Sequence, residues 1–116
     1  MNGSIERKTA RHLVRFGAGE RWFPYGISEV VAHTDGRFLS IAVTRSSGGR
    51  GTVLMNEFDC DAGDTCLREL RFWLRSVAAL EPPLDPRATE WADSISRRIL
   101  EAVRAEVSTK DRHDVP

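Results

Sequence analysis

The dipeptide Asp35-Gly36 constrains this chain more than any other feature. It follows the β-prone run Ile27–Thr34 and precedes the alternating run at 38–43. A type I′ turn needs positive φ at both central residues, and Asp-Gly is one of the few pairs that accepts this. A tight turn here sets Thr34 opposite Arg37, Ala32 opposite Leu39 and Val30 opposite Ile41. These pairs, joined by Val43, fall on one side of a sheet. Glu29, Val31, His33, Phe38, Ser40 and Ala42 fall on the other, which is more polar and is expected to be the more exposed.

A second hairpin is expected through 46–51, Ser-Ser-Gly-Gly-Arg-Gly, a mobile loop with Arg45 and Arg50 at its edges. The strand at 52–58 returns from it. There Val53, Leu54 and Met55 run together, as a central strand tolerates, so the register is open to a one-residue slip. Upstream, 12–16 reads as a first strand, broken by Gly17-Ala18-Gly19. Residues 1–11 read as a frayed polar arm. Between these strands lie Trp22, Phe23 and Tyr25. Pro24 holds Phe23 extended, and the three aromatics read as a cap on one edge of the core.

After the strands the apolar period changes from two to that of a helix. Asp64 is the expected N-cap of a helix running to about Leu80. Leu67, Leu70, Trp73, Leu74, Val77 and Leu80 form its apolar stripe, and Pro82 and Pro83 stop it. Asp85 and Pro86 open a second helix that runs to about Val107, with Ala88, Trp91, Ile95, Ile99, Val103 and Val107 on one face. The sequence therefore predicts an α+β domain over 1–107: a three- to four-stranded, mostly antiparallel β-sheet with two C-terminal helices packed on one face. Residues 108–116 are expected to be a disordered tail.

The chain has 17 basic and 17 acidic residues, which argues against a non-specific nucleic-acid binder. The charge is unevenly spread. Residues 1–50 hold eight Lys/Arg against four Asp/Glu, whereas 51–64 hold four acids and no base. Those four, Glu57, Asp59, Asp61 and Asp64, sit in the connector from the last strand to the first helix. Their spacing is not that of an EF-hand loop, so no metal site is predicted. Cys60 and Cys66 match no zinc or redox motif and are expected to be buried or half-buried thiols. No apolar run is long enough to span a membrane, and 1–8 lack the apolar core of a signal peptide, so a cytoplasmic protein is expected.

No catalytic constellation is legible. No serine stands in a Gly-x-Ser-x-Gly elbow, the glycine-rich stretches lack the rest of a phosphate-binding fingerprint, and no histidine pair has ligand spacing. His33 and Glu29 share one strand face, which is thin support for acid–base chemistry. What remains is a non-enzymatic protein-binding or inhibitor module without cofactor. One form is an immunity protein that neutralises a basic toxin nuclease through Glu57, Asp59, Asp61 and Asp64, with Trp22 or Tyr25 as an aromatic contact. The alternative is nucleic-acid binding or regulation by Arg68, Arg71 and Arg75 beside Phe72 on the first helix.

Overall fold

In the computed structural model, residues 10–17, 19–47, 50–80 and 85–113 are described. The first half is a β-meander: β1 (Arg11–Phe16), β2 (Ile27–Thr34), β3 (Phe38–Ser47) and β4 (Arg50–Asp59) lie side by side in chain order. Every neighbouring pair is antiparallel, so the sheet is wholly rather than mostly antiparallel. A single 3-10 turn, Cys60–Ala62, then leads into α1 (Asp64–Ala78) and α2 (Arg87–His113). The four strands and two C-terminal helices make the α+β arrangement expected.

The first hairpin is the expected one, but its register is displaced by two residues. Thr34 pairs with Leu39, Ala32 with Ile41 and Val30 with Val43. The two loop residues are Gly36 and Arg37, and the hairpin is closed by Asp35 N–H donating to Phe38 O at 3.3 Å. Gly36 has φ +106°, and among the described residues none other than glycine has positive φ. Positive φ at the first loop position alone is the pattern of a type II′ turn, not type I′. The cause is local. The Asp35 carboxylate accepts from both Arg37 N–H (3.0 Å) and Phe38 N–H (2.8 Å), which fixes Asp35 outside the loop. Thr34 Oγ1 accepts from Gly36 N–H and donates to Phe38 O. A shift of two preserves the facing of every side chain. Val30, Ala32, Leu39, Ile41 and Val43 are therefore all fully buried, as the pattern requires.

The second hairpin is tighter than expected. Ser47 pairs with Arg50, so only Gly48 and Gly49, which lie outside the described residues, separate the strands. β4 is also not central. It is the last strand of the sheet, and Val53 and Met55 are exposed on it. The Val53-Leu54-Met55 run thus reflects an edge strand with apolar residues on both faces.

Both helices cover the same sheet face, with α1 nearer β4 and α2 nearer β1. α1 buries Cys66, Leu70, Leu74, Val77 and Ala78. Leu67 and Trp73 flank this stripe, and Leu80 is 59% exposed. The buried face is thus rotated from the one expected, because Cys66 and Ala78 are small enough to let α1 sit close to the sheet. α2 buries Ala88, Trp91, Ala92, Ile95, Ser96, Ile99 and Val103. It continues past Val107 to His113, since no glycine or proline interrupts 107–113. Pro82 and Pro83 lie outside the described residues.

Among the described residues, one charged side chain lies within this core. Arg45 is 6% exposed at the end of β3, and its Nη1 donates to Val77 O at 2.7 Å in the last turn of α1. A cation at a helix C-terminus complements the dipole, and it adds a charged donor to a carbonyl that also accepts from Leu80 N–H at 3.3 Å. It ties the sheet to the helix where α1 ends.

The rotated stripe gives a direct check. Leu70→Ala should cost about 3 kcal/mol by loss of buried methylenes and the cavity left behind. Leu80→Ala should stay within about 0.5 kcal/mol. Urea unfolding midpoints measure both, and equal losses would place the two leucines in the same core.

Candidate functional site

The β2–β3 turn, the end of β4 and the start of α1 meet at one end of the sheet. Phe38 pairs with Asp59, and Cys60 N–H donates to Arg37 O at 2.8 Å, so turn and connector are joined through the backbone. Asp59 caps the 3-10 turn, its side chain accepting from Asp61 N–H at 2.9 Å. Gly63 ends that turn at φ +61°, a backbone conformation open to glycine, and is itself the N-cap of α1. Asp64 is therefore not the cap. It lies in the first turn, where its charge faces the positive end of the helix.

This geometry brings two of the connector acids, Asp59 and Asp61, to a cation that sequence reading missed. Arg37 Nη2 lies 3.2 Å from Asp59 Oδ2, and its Nε lies 3.7 Å from Asp61 Oδ2. The guanidinium also stands over the Phe38 ring, 5.0 Å from its centroid. Hydrogen bonding from Arg37, then from Asp61 N–H, holds the Asp59 carboxyl below its usual range. Asp61 and Asp64 are exposed, as is Glu57 on the open face of β4. Among the described residues, no group of three His, Cys, Asp or Glu side chains stands close enough to hold a metal ion.

The aromatic residues are elsewhere. Trp22 and Tyr25 belong to the β1–β2 connection, at the opposite end of β2 from Asp35. An eight-residue strand separates the two ends, a span of about 25 Å. Trp22 is half-buried beneath Arg87, whose guanidinium carbon lies 4.7 Å from the ring centroid. Phe23 meets Trp91 edge-on at 6.1 Å. Tyr25 is 82% exposed. So Trp22 and Phe23 close the core as the sequence suggests, while Tyr25 does not. A cleft of about 350 Å³ opens between Trp22 and α2. Its rim is organised by Arg98, which holds Glu20 through two contacts at 2.6 and 3.1 Å.

The arginines of α1 are divided. Arg71 pairs with Asp93 of α2 at 2.9 Å and serves the helix–helix contact. Arg68 Nη2 reaches Thr65 Oγ1 at 3.4 Å, and Arg75 is exposed. The three therefore do not present one free cationic row. Glu29 is engaged by Arg15, and His33 meets His12 edge-on at 5.5 Å, so Glu29 and His33 do not form an acid–base pair.

Cys60 is half-buried and Cys66 buried, both as free thiols. Burial first, then the neighbouring Cys66 and the acids around it, pushes the Cys60 thiol up to about 12. Burial likewise raises Cys66. Neither has the cationic surroundings that activate a nucleophilic thiolate.

No family model, no curated protein and no solved structure matches this chain. Among the described residues, no helix is long and apolar enough to cross a membrane.

Among the described residues, arginines hold four carboxylates below their usual range: Glu20 by Arg98, Asp59 by Arg37, Asp85 by Arg87, and Asp93 by Arg97 and then Arg71. Depressed folded-state values stabilise the chain above the unfolded carboxylate pKa, about 4, and that contribution is lost as pH falls through the folded values. Thermal unfolding should therefore show stability falling below about pH 4. Arg37→Gln should return Asp59 towards the usual range in an NMR titration and leave Asp93 unmoved. An unchanged Asp59 would mean that Arg37 does not sit on it.

Proposed function

We propose that this chain is a non-enzymatic protein-binding module whose acidic end docks on a basic surface of one specific protein partner. One observation carries the reading: the fold gathers Glu57, Asp59, Asp61 and Asp64 at a single end of the sheet. There the Asp35 turn buttresses the connector, and Asp59 holds its backbone. Carboxylates fixed on a short, capped connector lose little freedom on binding, so their charge is available for steering and for specificity. Arg37 adds a guanidinium backed by the Phe38 ring. It neutralises part of the cluster while giving the surface a forked donor for a partner's carbonyl or carboxylate.

The narrower form of this reading is an immunity-type inhibitor acting in the cytoplasm. Its partner is a toxin nuclease whose basic, RNA-binding cleft is covered by Glu57, Asp61 and Asp64, the most outward of the acids. Such a contact associates quickly at low salt and slows steeply as salt rises. Trp22 and Tyr25 lie outside that contact unless the partner spans the whole sheet. Nucleic-acid binding by Arg68, Arg71 and Arg75 gains no support from the division of those side chains.

Glu57→Gln, Asp61→Asn and Asp64→Asn together test the reading, and Asp59 is kept because it caps the connector. A partner captured from cells of the source organism should bind this variant at least ~10-fold more weakly, with a shallower salt dependence. If the partner is a nuclease, the wild-type chain should suppress its RNA cleavage and the variant should not. Unchanged affinity and unchanged salt dependence would rule out the acidic end as the contact.

A further inference from the structure

The two edges of the sheet are built differently. On β1 the register is interrupted by a bulge between His12 and Val14. Arg11 there pairs with Glu106 at 2.8 Å and Arg15 pairs with Glu29. Bulges and charges are the means by which natural sheets stop an edge from pairing with another chain. β4 has neither. It runs for 10 residues without a register shift, against a usual five or six. Its middle, Gly51-Thr52-Val53-Leu54-Met55, holds no charge and no proline. Val53 is 56% and Met55 67% exposed. Between β4 and α1 two clefts of about 240 and 400 Å³ meet at Trp73, the first bordered by Leu54, Met55 and Leu80, the second by Phe58 and Glu69.

We infer that β4 is the seam of a homodimer, in which the β4 strands of two copies pair antiparallel about a two-fold axis through Leu54. The axis stands perpendicular to the sheet, so all helices stay on one face and each residue keeps its own side. The sequence of β4 is self-complementary about that residue. Leu54 meets the second copy's Leu54 on the helix face, Thr52 meets Asn56, Val53 meets Met55 on the open face, and Gly51 meets Glu57. An axis through Met55 would set Val53 against Glu57 and Leu54 against Asn56. An axis through Val53 would set Met55 against Gly51 and Asn56 against Arg50. Of these three registers, only the one about Leu54 sets Val53, Leu54 and Met55 all against apolar residues.

Charge selects a second copy as the occupant. In this register Arg50 lies opposite the second copy's Phe58, on the helix face, since both share the facing of Leu54. Phe58 borders the same cleft as Glu69. Arg50 and Glu69 are both exposed, and neither has a partner among the described residues. Pairing the strands brings each Arg50 to the other copy's Glu69, twice by symmetry, with Phe58 beneath the guanidinium. The result is one continuous sheet of twice the four strands, in which the exposed apolar edge is covered.

Sedimentation of the full chain at micromolar concentration should give a mass near twice 13.0 kDa. Met55→Lys, which places like charges beside the axis, should return it to a monomer with an unchanged circular dichroism spectrum. Glu69→Arg should weaken the dimer at least ~10-fold by facing Arg50, and adding Arg50→Glu should restore it. A wild-type monomer overturns the proposal. So does a folded Met55→Lys variant that still dimerises, or a Glu69→Arg defect that Arg50→Glu does not repair.

Discussion

The structure depends on burying one face of a four-stranded meander under two helices. Val30, Ala32, Leu39, Ile41 and Val43 supply that face, and Leu70, Leu74, Ile95 and Ile99 close over it. Because side chains alternate along a strand, this single requirement fixes what every other residue of β2 and β3 does. It directs His33, Ser40 and Glu29 outward and puts Arg45 beneath the end of α1. It also decides which parts of the sheet go uncovered: the open face, the outer edge of β4, and the two ends where the chain turns.

Those two ends differ in chemistry because the chain visits them differently. At one, the β2–β3 turn meets the β4 connector, and both are acidic apart from Arg37. At the other, the β1–β2 connection meets the C-terminus of α1 and the start of α2, where aromatic rings stack against arginines and one another. Ionic contacts such as that of Arg98 with Glu20 order this second end, and the exposed pairs among them add little to stability. The acidic end keeps Asp61 and Asp64 exposed, with Arg37 Nε 3.7 Å from Asp61 Oδ2. Antiparallel pairing of two β4 strands leaves Asp61 and Asp64 beyond the paired segment, so dimerisation and use of the acidic end are compatible.

Much of this was legible in the sequence. The hairpins, the change of apolar period after Asp64, and the buried set on β2 and β3 follow from alternation alone. The register of the first hairpin was not legible, because Asp35-Gly36 signals a two-residue loop without saying which two. The answer depended on the Asp35 carboxylate and Thr34 hydroxyl competing for the turn's backbone groups. The edge position of β4 was hidden because an apolar run reads alike at the centre of a sheet and at an exposed edge. Of the candidate site, the acids were visible as a charge run. Arg37 was not, since its place among them is made by strand pairing across more than twenty positions. Trp22 and Tyr25 looked available to the same site only because a sequence does not show which end of a strand a loop occupies.

The claim that the acidic end is the contact surface is tested most directly by hydrogen–deuterium exchange of the chain alone and bound to its captured partner. New protection is predicted at Asp35, Gly36, Arg37 and Phe38 and across 57–64, with 19–26 unchanged. Protection confined to the Trp22 and Tyr25 connection, or to the α1 turns that carry Arg68 and Arg75, would contradict it.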